Sequence, residues 1–324
     1  MGKMSLANEA MVLNLSIGLW SGQKFDKKWT QDALADAGAA PQSARMNKHL
    51  IPEDAMRPIL TAANALRSNF YKWTLPWKDN GDRLLTRQAY TDFMNDHAER
   101  KTAFELAART FIEDVYPIVL DRASFRLGTR FDEGDYPAPD QLWPRYYAVL
   151  SIDPVAAAGD FRVRIDKDQA ARVRQAIEVE TNERIARAQF DVLRRLNDSL
   201  GRFVAAIRDD GRLRNDTLGA LQEVIRVLPM LNVTGDTEIS AACAKAQVLA
   251  SALDGLDGPA LKKNNTLRSR LREQAAEIME SIQAHGHDRA ADQRDVGPGA
   301  PDRDAADAIP GDAGLRYADA AAGA

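Results

Sequence analysis

Between Val12 and Trp20, apolar Leu13, Leu15, Ile17 and Leu19 alternate with Asn14, Ser16 and Gly18. Period two is the pattern of a strand with one buried face. A second, longer pattern runs from Asp166 to Arg208, with no proline and no glycine before Gly201. There Val173, Ile177, Ile185, Ala188, Val192, Leu196, Leu200, Phe203 and Ile207 recur at three- and four-residue steps and predict one apolar stripe on a helix. Asp168 and Arg172, Glu180 and Arg184, Glu183 and Arg187, Asp191 and Arg195, and Asp198 and Arg202 each set an acid four residues before a base. This is the favourable order for ion pairs on a helix surface, each contributing about 0.2 to 0.5 kcal/mol. At about 1.5 Å per residue the rod is about 60 Å long, so it is expected to be the spine of the fold or an oligomer seam.

The remaining patterns arrange themselves around that spine. A short helix is predicted over Trp29 to Ala39, and a longer one after Pro52, with Met56, Ile59, Leu60, Ala63, Leu66 and Phe70 as its stripe. Asp79-Asn80-Gly81-Asp82 forms a turn, and a helix from about Thr86 to Tyr116 meets a break or kink at Pro117. Ala148 to Val155, then Phe161, Val163 and Ile165 alternating with Arg162, Arg164 and Asp166, read as an antiparallel strand pair, with the N-terminal strand as third member. After the spine, three helical patterns centred on Leu221, Ala246 and Leu271 are expected to pack back as a bundle.

The expected fold class is therefore mainly α (α+β): a long central helix, a helical bundle, and a small antiparallel β-sheet from residues 11–20, 147–155 and 160–166. Residues 1–165 form a helical region with the sheet, and residues 166–284 form the long helix and bundle, packed as one unit with the first. Residues 285–324 are rich in Ala, Gly, Asp, Arg and Pro and are expected to be disordered.

Composition narrows the class. The chain has 324 residues, enough for one large or two modest cores. A net charge of -4 gives no global attraction to nucleic acid or an anionic membrane. Cys243 is the lone cysteine, which excludes an internal disulfide framework and fits a reducing compartment. No signal peptide or membrane-spanning run is recognisable, so a cytoplasmic location without membrane contact is expected.

Candidate chemistry is sparse. Phosphate-binding loops, the dinucleotide fingerprint, the nucleophile elbow and the zinc-protease motif are all missing, so no catalytic residue and no cofactor are assigned. Asp132, Glu133 and Asp135 offer carboxylates to a hard cation, although they lack calcium-loop spacing and a solvated turn is the favoured reading. Arg162, Arg164, Arg172, Arg174, Arg184 and Arg187 form the best basic stripe, suited to a phosphate backbone. Interleaved Asp166, Asp168, Glu178, Glu180 and Glu183 favour a solvated face instead.

Four segments carry a family resemblance: Leu19-Trp20-Ser21-Gly22-Gln23-Lys24, Phe131 to Pro139, Val155 to Val163 with its Ala-Gly-Asp-Phe-Arg core, and Leu228 to Asp236. Together they resemble a family of phage and prophage proteins known as domain of unknown function 3150, over roughly residues 10 to 283. The resemblance implies no catalytic residues. It implies an accessory role beside MoxR-type ATPases and von Willebrand-type domain proteins encoded nearby. The expected function is that of a non-enzymatic cytoplasmic phage or prophage protein acting through protein-protein contacts, with a protein partner, a homo-oligomer, or both. A nucleic-acid-binding accessory protein and a metal-dependent enzyme are the alternatives.

Overall fold

A computed structural model of the chain describes residues 6–156, 165–208, 215–256 and 258–295. One helical turn, α1 (Leu6–Glu9), leads into β1 (Ala10–Gly18). A two-stranded ribbon, β2 (Gln23–Phe25) with β3 (Asn47–His49), brackets α2 (Lys27–Asp36). Next come α3 (Glu53–Trp73), the short strands β4 (Leu75–Pro76) and β5 (Arg83–Thr86), and α4 (Tyr90–Thr110). A π-helical turn, Phe111–Val115, joins α4 to α5 (Tyr116–Asp121), and α6 (Ala123–Leu127) and α7 (Pro139–Leu142) follow. β6 (Tyr147–Pro154) returns to the sheet. The rest is helical: α8 (Lys167–Ala206), α9 (Asn215–Val227), α10 (Thr237–Ser251), α11 (Gly258–Lys263) and α12 (Asn265–Asp295).

The fold is mainly α with a small antiparallel sheet, of order β4-β5-β1-β6. β1 is an inner strand, facing β6 with Leu13 opposite Ile152 and Leu15 opposite Leu150, and β5 with Val12 opposite Leu84. Of the strand expected at 160–166, residues 160–164 lie outside the described residues. Ile165 is not in a strand, and Asp166 caps α8 by accepting a hydrogen bond from the Asp168 N–H. The β4–β5 hairpin stands where the long helix was expected to begin, so α4 starts at Tyr90 rather than Thr86. Gly81 supplies the positive φ its turn needs, and Asn14 on β1 donates to Asp82 across 3.1 Å. Buried Leu84, Leu85 and Thr86 then belong to the sheet, whose short strands give too few residues to show a period.

One core cluster takes side chains from both sides of residue 165. Leu13, Trp73, Leu84 and Phe93 join Val192, Leu196, Phe203, Leu221, Ile239 and Leu271 in it. A second cluster collects Trp20, Leu50, Ile59, Leu66, Phe104, Phe111 and Tyr116 between α3, α4 and the sheet. Pro117 lacks the N–H that would continue an α-helix, and the chain absorbs this by widening one turn. In that turn the Tyr116 N–H reaches back to the Phe111 carbonyl.

The compact unit ends at Ile282, and a second unit begins at Gln283. α12 continues to Asp295, so residues 285–295 are helical where disorder was expected. That stretch holds no proline and several good helix formers, Ala, Arg and Gln. Residues 296–324 lie outside the described residues.

Candidate functional site

The end of α3 sets up the main polar site. Its last turn leaves carbonyls without helical partners, and Thr74 turns extended beyond it. Arg195, from the middle of α8, covers them by donating Nη1 to the carbonyls of Tyr71 and Lys72 (2.9 and 3.2 Å) and Nη2 to that of Thr74 (2.7 Å). Asp191, one turn earlier on α8, holds Arg195 at 2.7 Å and also pairs with Arg194. Arg83 arrives from β5, donating Nε to Thr74 Oγ1 (2.7 Å) and Nη2 to the Thr74 carbonyl (2.8 Å). Its guanidinium lies 4.7 Å from the centre of the Tyr71 ring, a cation–π distance.

These groups border a cleft of about 660 Å³. One wall is α8, whose Asp191, Arg194, Arg195, Asp198 and Arg202 line it. The facing side carries Tyr71, Lys72, Pro76 and Arg83, with Val224, Val227 and Leu228 as an apolar end. Burial, and next the neighbouring Arg195, push Arg83 down to about 10, with Asp191 opposing. It therefore remains a cation at neutral pH. Arg195 is likewise lowered, by burial first, with Asp191 opposing.

Beside the cleft, Lys72 joins Asp96 and Glu223, each at 2.8 Å, and the Trp73 indole donates to Asp96 at 2.9 Å. Glu223 is held down at about 2, first by hydrogen bonds from Arg226 and then by Lys72, against the opposing effect of burial. This network ties α3, α4 and α9 together.

Four of the six arginines of the predicted basic stripe are described. Arg162 and Arg164 lie outside the described residues. Arg172, Arg174 and Arg187 are exposed, and Arg172 donates to the Asp168 backbone carbonyl (3.4 Å) rather than to its carboxylate. Arg184 pairs with Glu180 as the spacing predicts and sits 5.7 Å over the Trp77 ring. Arg194, not Arg202, takes Asp198 (3.3 Å), and Glu183 and Arg187 form no pair among the described residues. The cleft was missed in part because Asp191 and Arg195 share the spacing of a surface pair. Their distinguishing signal is position, since both border the stripe of Ala188, Val192 and Leu196. Asp191 is only 6% exposed.

The three carboxylates weighed as a cation site face different partners. Asp132 caps its own turn at the Gly134 N–H (3.0 Å), and Glu133 points to solvent. Asp135 is buried against the ammonium groups of Lys24 and Lys48, which occupy the place a metal would need. Lys48 also faces Asp26 at 3.5 Å. Burial alone would raise the Asp135 carboxyl, but hydrogen bonds from Lys24 and Lys48, and their charges, hold it below the usual carboxylate range. Among the described residues, no three His, Cys, Asp or Glu side chains gather to hold a metal ion. No helix among them is long and apolar enough to cross a membrane.

Comparison with family models, with curated proteins and with solved structures returns no match. The resemblance set out above therefore rests on the quoted segments alone. Two of those segments meet in the fold, because Lys24 of the first pairs with Asp135 of the second.

Proposed function

We propose that the protein acts through protein-protein contact, by pairing the first half of α8 antiparallel with the same segment of a second copy. One observation carries this reading: among the described residues, α8 buries no side chain before Ala188. Before Arg184 and Ile185, which pack on Trp77 and the core, roughly 25 Å of helix therefore stands without a covering layer among the described residues. Helices this long are stabilised mainly by a packed face, so an uncovered half calls for a partner. Its stripe continues as half-buried Val173, Ile177 and Ile185, while Val179 and Phe190 are 51% and 61% exposed.

Charge supports the antiparallel choice. Residues 167–176 hold Lys167, Arg172 and Arg174 against Asp168, whereas residues 177–187 hold Glu178, Glu180 and Glu183 against Arg184 and Arg187. The basic end of one copy meets the acidic middle of the other when two helices cross near Ile177, with Arg174 opposite Glu180. Complementarity of this kind fixes register and orientation more than affinity. The family resemblance adds a phage or prophage accessory role beside a MoxR-type ATPase to the same reading.

Charge exchange tests it. Arg174→Glu alone should weaken self-association measured by light scattering, and adding Glu180→Arg should restore it. If the double variant associates no better than the single one, the antiparallel pairing is wrong.

A further inference from the structure

We infer that the cleft between α3, β5, α8 and α9 is a binding site for a phosphate-bearing small molecule, held by Arg83 and Arg202. The argument begins with the charges around it. Arg194 and Arg195 are balanced within the cleft by Asp191 and Asp198, and Lys72 is engaged by Asp96 and Glu223. Two cations are left over. Arg83 spends Nε and one Nη2 hydrogen on Thr74 and reaches no carboxylate at ion-pair distance among the described residues. Arg202, exposed on α8, lines the cleft with no ion-pair partner among the described residues.

An uncompensated guanidinium that is half-buried and next to a second arginine is costly unless an anion completes it. Arg83 still has donors free, and the planar fork of a guanidinium matches phosphate oxygens in pairs. A phosphate group would accept hydrogen bonds from both guanidiniums. Carboxylate side chains also bind arginine, but here the cleft is concave and two of its guanidiniums lack a carboxylate partner among the described residues. Its volume falls in the range of roughly 300 to 1,000 Å³ typical of small-molecule sites. Tyr71, which is 54% exposed, and half-buried Pro76 and Val224 give the lining apolar surface for the ligand's body. The ligand class that fits is therefore a phosphate or diphosphate ester of nucleotide size. Arg83 also fastens β5 to the end of α3 through Thr74, so its variants are read together with those of Arg202, which makes no such contact among the described residues.

The test is calorimetric titration of the full-length chain with inorganic pyrophosphate at about 0.15 M salt, where exposed charges are largely screened. Saturable binding is expected, weakened about tenfold or more in Arg83→Gln and in Arg202→Gln, consistent with loss of a charge-assisted contact. Arg272→Gln, on exposed α12 surface, should bind as the parent does. Thermal melts of each variant confirm that the fold is retained, and Arg83→Lys provides a second variant that keeps the charge but loses the fork. Absence of saturable binding, equal binding by all variants, or binding of a short oligonucleotide without binding of pyrophosphate would overturn the proposal.

Discussion

Arg83 and Arg195 donate to the same oxygen, the carbonyl of Thr74, at 2.8 and 2.7 Å. Two cations sharing one acceptor mark the junction where α3, β5 and the long helix lock together. Arg195 is the structural partner of the pair, because it also caps Tyr71 and Lys72 and holds buried Asp191.

Arg195→Ala should therefore destabilise the fold by about 2 to 4 kcal/mol, since it strands helix-end carbonyls and leaves a buried carboxylate short of its partner. Arg195→Lys should recover little, because one ammonium cannot reach three carbonyls and Asp191 together. Urea unfolding of the two variants checks both statements. A lysine variant as stable as the parent would show that charge alone suffices at this junction.

Asp135 should be similarly demanding. Asp135→Asn leaves buried Lys48 with Asp26 as its one charged partner among the described residues, beside the Arg130 carbonyl, and a loss of about 2 to 3 kcal/mol is expected. Added divalent metal should not raise the melting temperature of the parent chain, because Lys24 and Lys48 already face the carboxylate. A metal-dependent rise reversed by chelator would restore the cation site.

The pH dependence of stability follows from the same groups. Asp135, Asp96 and Glu223 all lie below their ordinary values, so the unfolded chain binds their protons more readily. Their contribution is complete above the unfolded values of about 4 and is lost as pH falls through the folded ones, toward about 2 for Glu223. Lys48 is raised: burial lowers it, but Asp135 and Asp26 more than reverse this. Its contribution is present below the unfolded lysine value of about 10.4 and disappears as pH rises through the folded one. Urea midpoints measured from pH 2 to 7 should fall on the acid side, and Glu223→Gln should flatten part of that fall.

His97 adds a separate acid sensitivity. It is buried beside Phe93, its Nδ1 finds no hydrogen-bond partner, and burial followed by Lys101 lowers its affinity for a proton. The neutral form is the stable one, so its contribution is present above about pH 6.5 and is lost as pH falls toward the depressed folded value. NMR titration of His97 should show a midpoint below the ordinary histidine value of about 6.5. An equal or higher midpoint would contradict the burial argument.

The sequence disclosed those parts of the fold whose pattern is local. The alternation through Leu13, Leu15 and Ile17 located β1, and the stripe from Val173 to Phe203 located α8, because both are long enough to show a period. The β4–β5 hairpin was hidden because Leu75–Pro76 and Arg83–Thr86 are too short for one. Contacts between distant segments were hidden for a different reason. Asp132 to Asp135 read as a solvated turn, with a cation loop as the alternative, because nothing local tells that Lys24, 111 positions before Asp135, closes on it. Asp191 and Arg195 looked like a surface pair because spacing does not report what the helix packs against. Arg83 gave no signal at all beyond following a turn.

The central claim is that the uncovered half of α8 makes a contact between copies, and sedimentation velocity over a range of concentrations tests it most directly. The parent chain should sediment as a concentration-dependent dimer. Ile177→Glu, which places a charge in the middle of the half-buried stripe, should sediment as a folded monomer with unchanged helical content. A parent chain that is monomeric throughout, or a variant that dimerises as the parent does, would contradict the account.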